Sequence, residues 1–179
     1  IPYHGPGATN LGKPLKSIMV CEDKIPIYAA TLTPAGVQAA AEVADGFFPI
    51  WMDPDQFGVF KDPIEKGLKA AGGGKSLADF DVAPFVTVIM GDDVKQCMAM
   101  IRGNMALYIG GMGAKGKNFY NDLAARYGYE AAAAEIQDLY LAGDKGAAMA
   151  KVPGALIDEV ALVGPRERVK ERLHLWLNS

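Results

Sequence analysis

A parallel α/β architecture follows from three features of this chain. Four short apolar runs recur along it, none with the polar alternation of a half-exposed strand. Each run is followed by residues at helical spacing, and pairs such as Thr33-Pro34 mark where helices begin. Half of the 179 residues are hydrophobic and 22% are charged, a balance that supports a buried core. Strands that are apolar throughout, alternating with helices, indicate a parallel sheet with βα connections. Four such units are too few for a closed eight-stranded barrel, which takes about 250 residues. They make a small open sheet or half a barrel.

Residues 1–24 read as a loop arm, because Gly5-Pro6-Gly7 and Gly12-Lys13-Pro14 break any periodicity. Ile25 to Ala30 is the first run. Thr33 caps a helix carrying Val37, Ala40, Ala41 and Ala44, which Gly46 ends. Phe47 to Trp51 is the second run. Asp53-Pro54 and Asp62-Pro63 predict two short helices ending at Gly72-Gly73-Gly74. The third strand is expected over Asp81 to Met90, with Pro84 near its start, since proline cannot donate to an interior ladder. Asp92 is expected to cap a helix with Val94, Cys97, Ile101, Met105 and Tyr108 on one side. A glycine-rich loop over 110–117 leads to helices over Phe119–Tyr127, Ala131–Leu141 and Lys145–Lys151. Val160 to Val163 is the last run. The final helix is expected to bury Val169, Leu173 and Leu177 and to expose Arg166, Arg168, Lys170 and Arg172.

Composition narrows the partners. A net charge of −3 gives no excess of positive charge for a nucleic-acid backbone or an anionic membrane. No apolar run approaches the ~20 residues of a membrane helix. Cys21 and Cys97 lie far apart and outside any metal-ligand spacing, so the expectation is no metal site and two reduced thiols in a cytoplasmic protein. The start at Ile1-Pro2-Tyr3 leads to the expectation that the chain is processed or part of something larger.

Several motifs dissolve on inspection. Gly111-Met112-Gly113-Ala114-Lys115-Gly116 fits a dinucleotide fingerprint, but the preceding residues continue the helical spacing from Val94, and the fingerprint needs a strand there. Gly72-Gly73-Gly74-Lys75-Ser76 looks like the end of a P-loop, yet Lys69 stands where its first glycine belongs. His174 reads as packed or half-exposed on the last helix, and neither it nor His4 has a placeable nucleophile. The turn Ala30-Thr31-Leu32-Thr33-Pro34 is different. It joins a buried strand to a helix N-terminus, where unpaired N–H groups and the helix dipole attract an anion, and its two threonines add hydroxyls.

Four segments carry a resemblance. Ile25-Pro26-Ile27-Tyr28-Ala29-Ala30 through Ala44-Asp45-Gly46-Phe47-Phe48-Pro49-Ile50 resembles a signature of the luciferase-like monooxygenase superfamily. Gly5–Lys16, Ala106–Gly113 to Tyr127-Gly128, and Asp158–Pro165 resemble its coenzyme F420 (deazaflavin)-dependent oxidoreductases. The match spans the chain but only the C-terminal half of such a protein. It implies a (β/α)8 TIM barrel of which residues 25–179 are strands five to eight in four βα units, and residues 1–24 the tail of the insertion before strand five.

The resemblance further implies hydride transfer between coenzyme F420 and a small organic substrate. Carried over by position, the cofactor-binding residues are Ala30, Thr31, Leu32 and Thr33, then Asp45, Gly46 and Phe47. Thr33 stands where many members have glycine. Catalytic groups belong mostly to the N-terminal half, so none is assigned. FMN is the alternative cofactor. A non-catalytic half-barrel binding module is the reading from another class, and a dinucleotide domain around Gly111–Gly116 is the third. A half-barrel exposes two sheet edges and an apolar face, so the chain is expected to pair with the missing half or with itself.

Overall fold

The structure, a computed structural model, describes residues 4–9 and 23–178. Most of the expected loop arm, together with Cys21, lies outside the described residues. Every strand pairing is parallel. Strand β1 (Tyr28–Ala29) pairs with β2 (Gly46–Phe47), and β2 pairs with β3 (Asp81–Val82). Strand β4 (Thr87–Met90) pairs with β5 (Ala161–Gly164), which is wholly buried.

The expected third strand is split in two, with Pro84 between the halves rather than near the start. The backbone explains why. The Ala83 and Phe85 N–H groups donate to Phe47 and Pro49 carbonyls at 3.0 and 2.9 Å. Residue 84 therefore faces the other way, and pairing with β5 begins only at Thr87. Proline is tolerated where no ladder bond is asked of it. Ile50 bridges to Phe85, so the stretch 81–90 joins the two sheets.

Helix α1 (Pro34–Val43) starts as read, with the Thr33 hydroxyl accepting from Gly36 N–H at 3.0 Å. At its other end the Lys75 ammonium donates to the carbonyls of Ala41 and Ala44, at 2.8 and 2.6 Å. A cation at the negative end of a helix is favourable. Asp53 caps a 3-10 turn over Pro54–Gln56.

The start expected at Asp62-Pro63 is absent, because α2 (Gly58–Ala71) runs straight through Pro63. Phe60, Ile64 and Leu68 form one buried stripe with Pro63 and Gly67, packed on α1. Burying three such side chains at about 2 kcal/mol each exceeds the ~3 kcal/mol cost of an interior proline. Phe47 stacks on Phe80 at 5.8 Å and meets Phe60 edge-on at 5.8 Å, which closes this part of the core.

Helix α3 (Val94–Ala106) is capped by Asp93, one residue later than expected, through bonds from Lys95 and Gln96 N–H. It continues as a π-helical turn over Leu107–Gly111 where the loop was expected to open. A helical segment before Gly111 removes the dinucleotide reading. Helix α4 (Phe119–Ala124) passes through a second π-helical turn (Ala125–Tyr129) into α5 (Glu130–Leu141), and Gly128 at φ +89° makes the kink. Helix α6 (Lys145–Lys151) follows. Helix α7 (Gly154–Val160) was not expected, although Leu156, Ile157 and Val160 bury at helical spacing.

In α8 (Arg166–Leu177) Val169 packs against the core as expected, but the rest of the expected face differs. Trp176 is buried, whereas Leu173, His174 and Leu177 are exposed. Arg168 and Arg172 turn inward onto Asp158 of α7, Arg168 at 2.6 Å, and Arg168 also donates to Val163 O at 2.7 Å. Val169 and Trp176, seven residues apart, face the core, and the two guanidinium groups pair with Asp158 beside them. Cys97 is a buried free thiol. No helix among the described residues is long and apolar enough to cross a membrane.

Candidate functional site

The parallel strands place their C-terminal ends together, and there the chain forms a cleft of about 420 Å³. In parallel α/β folds ligands bind at this end. One wall is the turn after β1: Ala30, Thr31, Leu32 and Thr33. Its floor is Phe48 and Ile50 beyond β2, with Phe85 between β3 and β4. The facing wall is aromatic: Tyr108 from the first π-helical turn, with Phe119 and Tyr120 from the start of α4. None of these lining residues is an aspartate, glutamate, histidine or cysteine. Among the described residues, no group of three or more His, Cys, Asp or Glu side chains is placed to hold a metal ion.

The first wall is shaped by close approach. A Cβ on Gly36 would overlap the Thr31 hydroxyl and sit 2.9 Å from the Thr33 hydroxyl. Both threonine oxygens therefore reach over the first turn of α1 only because residue 36 is glycine. Arg126 donates to Leu32 O at 2.7 Å, bringing a guanidinium to the same turn. Burial lowers its pKa from the ordinary arginine value. Neither Gly36 nor Arg126 was singled out from the sequence. Arg126 lies 94 residues from its partner, and no local pattern reports such a contact.

Asp45, Gly46 and Phe47 are not brought to the cleft. Tyr28 is level with Gly46 and Ala29 with Phe47, so Asp45 lies at the N-terminal end of β2. Its carboxylate pairs with Lys24 and accepts from Ile27 N–H at 2.9 Å; chiefly the lysine lowers its pKa. Gly46 packs beneath the Tyr28 ring, and Phe47 is fully buried.

The aromatic wall is held from two sides. Asn118, almost completely buried, donates to Tyr108 O and Ile109 O at 2.8 and 2.9 Å, while its oxygen accepts from Tyr120 and Asn121 N–H. Asn121 adds bonds to Ile109 O and Ala133 O at 3.1 and 2.8 Å. The π-helical turn disturbs the ordinary ladder of helix bonds, and the two amides satisfy carbonyls there.

Behind the wall, Trp51 meets Tyr108 at 5.8 Å and Tyr120 at 5.5 Å, both edge-to-face, and the two tyrosines meet each other at 4.6 Å. Trp51 has φ +53°, the one positive φ at a non-glycine residue among those described. Such a conformation costs a bulky L-residue roughly 1–2 kcal/mol. The arrangement suits a flat, largely apolar body with an anionic end.

The family model described as luciferase-like monooxygenase matches residues 3–178. Rv3520c of Mycobacterium tuberculosis, which carries the name of a coenzyme F420-dependent oxidoreductase, is 34% identical over 177 residues. That alignment covers 98% of this chain and 51% of the relative. The 5,10-methylenetetrahydromethanopterin reductase of Methanopyrus kandleri is 27% identical over 87% of this chain and 42% of its own length.

Among solved structures, the coenzyme F420-dependent tetrahydromethanopterin reductase from the same organism superposes with a TM-score of 0.67 at 24% identity, over 86% of this chain and 42% of that one. An F420-dependent secondary alcohol dehydrogenase in complex with an F420-acetone adduct gives 0.56 at 16%, over 88% and 41%. At these identities the structural likeness is one of fold. The chain spans about half the length of the curated relatives it matches. Nothing in these names speaks for FMN.

Proposed function

We propose, on the premise that this chain belongs to the luciferase-like monooxygenase family, that it is the rear half of a coenzyme F420-dependent oxidoreductase acting on a small organic substrate. The observation that carries the reading is the cleft at the strand exits, with Ala30–Thr33 on one side and tyrosines on the other. The bound deazaflavin supplies the hydride chemistry. The chain's own residues bind and shield. The start of α1, the Thr31 and Thr33 hydroxyls and the space left by Gly36 fit a phosphate-bearing tail, and Arg126 adds positive charge beside it. The site is taken as Ala30, Thr31, Leu32 and Thr33. Asp45, Gly46 and Phe47 are left out, since their contacts lie elsewhere. Tyr108, Phe119 and Tyr120 keep water from the opposite side.

Titrating the complete protein with each cofactor tests this. Saturable binding of coenzyme F420 is expected. Tight binding of FMN with none of F420 overturns it.

Residues 25–179 are read as strands five to eight of a (β/α)8 barrel, with residues 1–24 ending the insertion before strand five. Three features support this. Neighbouring strands follow chain order. Among the described residues, β1 and β5 each pair on one side only. Ile25, Ile27, Phe85, Val88 and Met90 are more than half exposed, as an uncovered barrel interior would be. The covering partner is the front half or, failing that, a second copy. Light scattering of this 179-residue chain alone should give assemblies larger than one chain. A sharp monomer peak with cooperative melting contradicts the half-barrel.

A further inference from the structure

Tyr127 is buried and is not among the residues that line the cleft, yet its hydroxyl spans a strained turn behind the aromatic wall. It donates to Trp51 O at 2.9 Å and accepts from Asp53 N–H at 3.2 Å. Burial drives its pKa well above the ordinary tyrosine value, so the hydroxyl keeps its proton and remains a donor. Without those two bonds, a buried carbonyl and a buried N–H would be unpaired, and the left-handed backbone at Trp51 would lose what holds it. The indole edge would then leave Tyr108 and Tyr120, which Asn118 ties together only through their backbones.

We infer that Tyr127 is a positioning residue of the cleft. Its hydroxyl locks Trp51 in the strained turn, and Trp51 in turn sets the Tyr108–Tyr120 wall against which the cofactor lies. The inference rests on the F420 reading of the cleft for its ligand, but not for its geometry.

The test uses the full-length protein and the variants Y127F and W51F. The first readout needs no ligand: the long-wavelength indole band of the near-UV circular dichroism spectrum, where tyrosine does not absorb. Its Trp51 share is the wild-type spectrum minus that of W51F. Y127F should lose most of that share while keeping its far-UV spectrum. The second readout is the dissociation constant for coenzyme F420, measured well below the melting temperature. Y127F and W51F should each weaken it by about tenfold, the equivalent of about 1.4 kcal/mol.

An unchanged indole band overturns the inference. So does a changed band with unchanged F420 affinity, because a merely structural tyrosine would lower the melting temperature and leave binding by the folded protein intact. If the wild type does not bind F420 while the band still changes, the cofactor reading fails and the positioning role stands. If Y127F does not fold, W51F decides: weakened F420 binding supports the role, and wild-type affinity overturns it.

Discussion

Asn118→Asp is expected to lower the stability of the complete protein by about 3 kcal/mol or more, since it leaves buried groups unpaired and places a charge among them. The side chain is about 1% exposed and uses both ends of its amide. Its nitrogen donates to Tyr108 O and Ile109 O, and its oxygen caps α4 through Tyr120 and Asn121 N–H. Aspartate keeps the cap but cannot donate, and it turns a carboxylate toward two carbonyl oxygens. The midpoint of urea unfolding measures the loss. Asn118→Ser separates the two functions, because a serine hydroxyl caps a helix without reaching both carbonyls, and it should be milder. Equal stability of Asn118→Asp and the wild type would mean that the amide does not hold the π-helical turn.

Gly36→Ala is expected to weaken F420 binding by the complete protein by about tenfold, or about 1.4 kcal/mol, with little loss of stability. The new methyl would overlap the Thr31 hydroxyl and lie 2.9 Å from that of Thr33, so the threonine hydroxyls must turn away or the loop shift, and either displaces them from the anion position. Alanine is otherwise the better helix former by about 1 kcal/mol, which offsets part of the strain in the unfolding measurement. Affinity and stability should therefore respond differently. Wild-type affinity in this variant would remove the turn after β1 from the binding site.

The local punctuation of the chain was legible where a single turn of backbone carries the signal. Thr33-Pro34 starts a helix because the hydroxyl and the N–H it satisfies are three residues apart. Gly128 and Gly143 interrupt helices at positive φ, which glycine adopts without a Cβ clash. The same rules misled wherever burial competed with them. Asp62-Pro63 has the form of a helix start, yet Phe60, Ile64 and Leu68 bury together and carry α2 through it. In α8 the leucines have core spacing, yet Val169 and Trp176 face the core, Arg168 and Arg172 pair with Asp158 beside them, and Leu177 is left in solvent.

The α/β character, helix starts such as Thr33-Pro34 and the expectation of an anion site at Ala30–Thr33 came from patterns within a few residues, where hydrogen-bond geometry and side-chain periodicity act directly. The cleft did not. Behind its aromatic wall Tyr127 reaches Trp51 across 76 positions, and at the opposite wall Arg126 reaches Leu32 across 94. Of Asp45, Gly46 and Phe47, which the resemblance assigned to the cofactor, Asp45 precedes β2 and the other two form it, with Phe47 fully buried. Contacts at such separations arise from how whole helices pack on a sheet, and no pattern along the chain encodes which side chains that packing brings face to face.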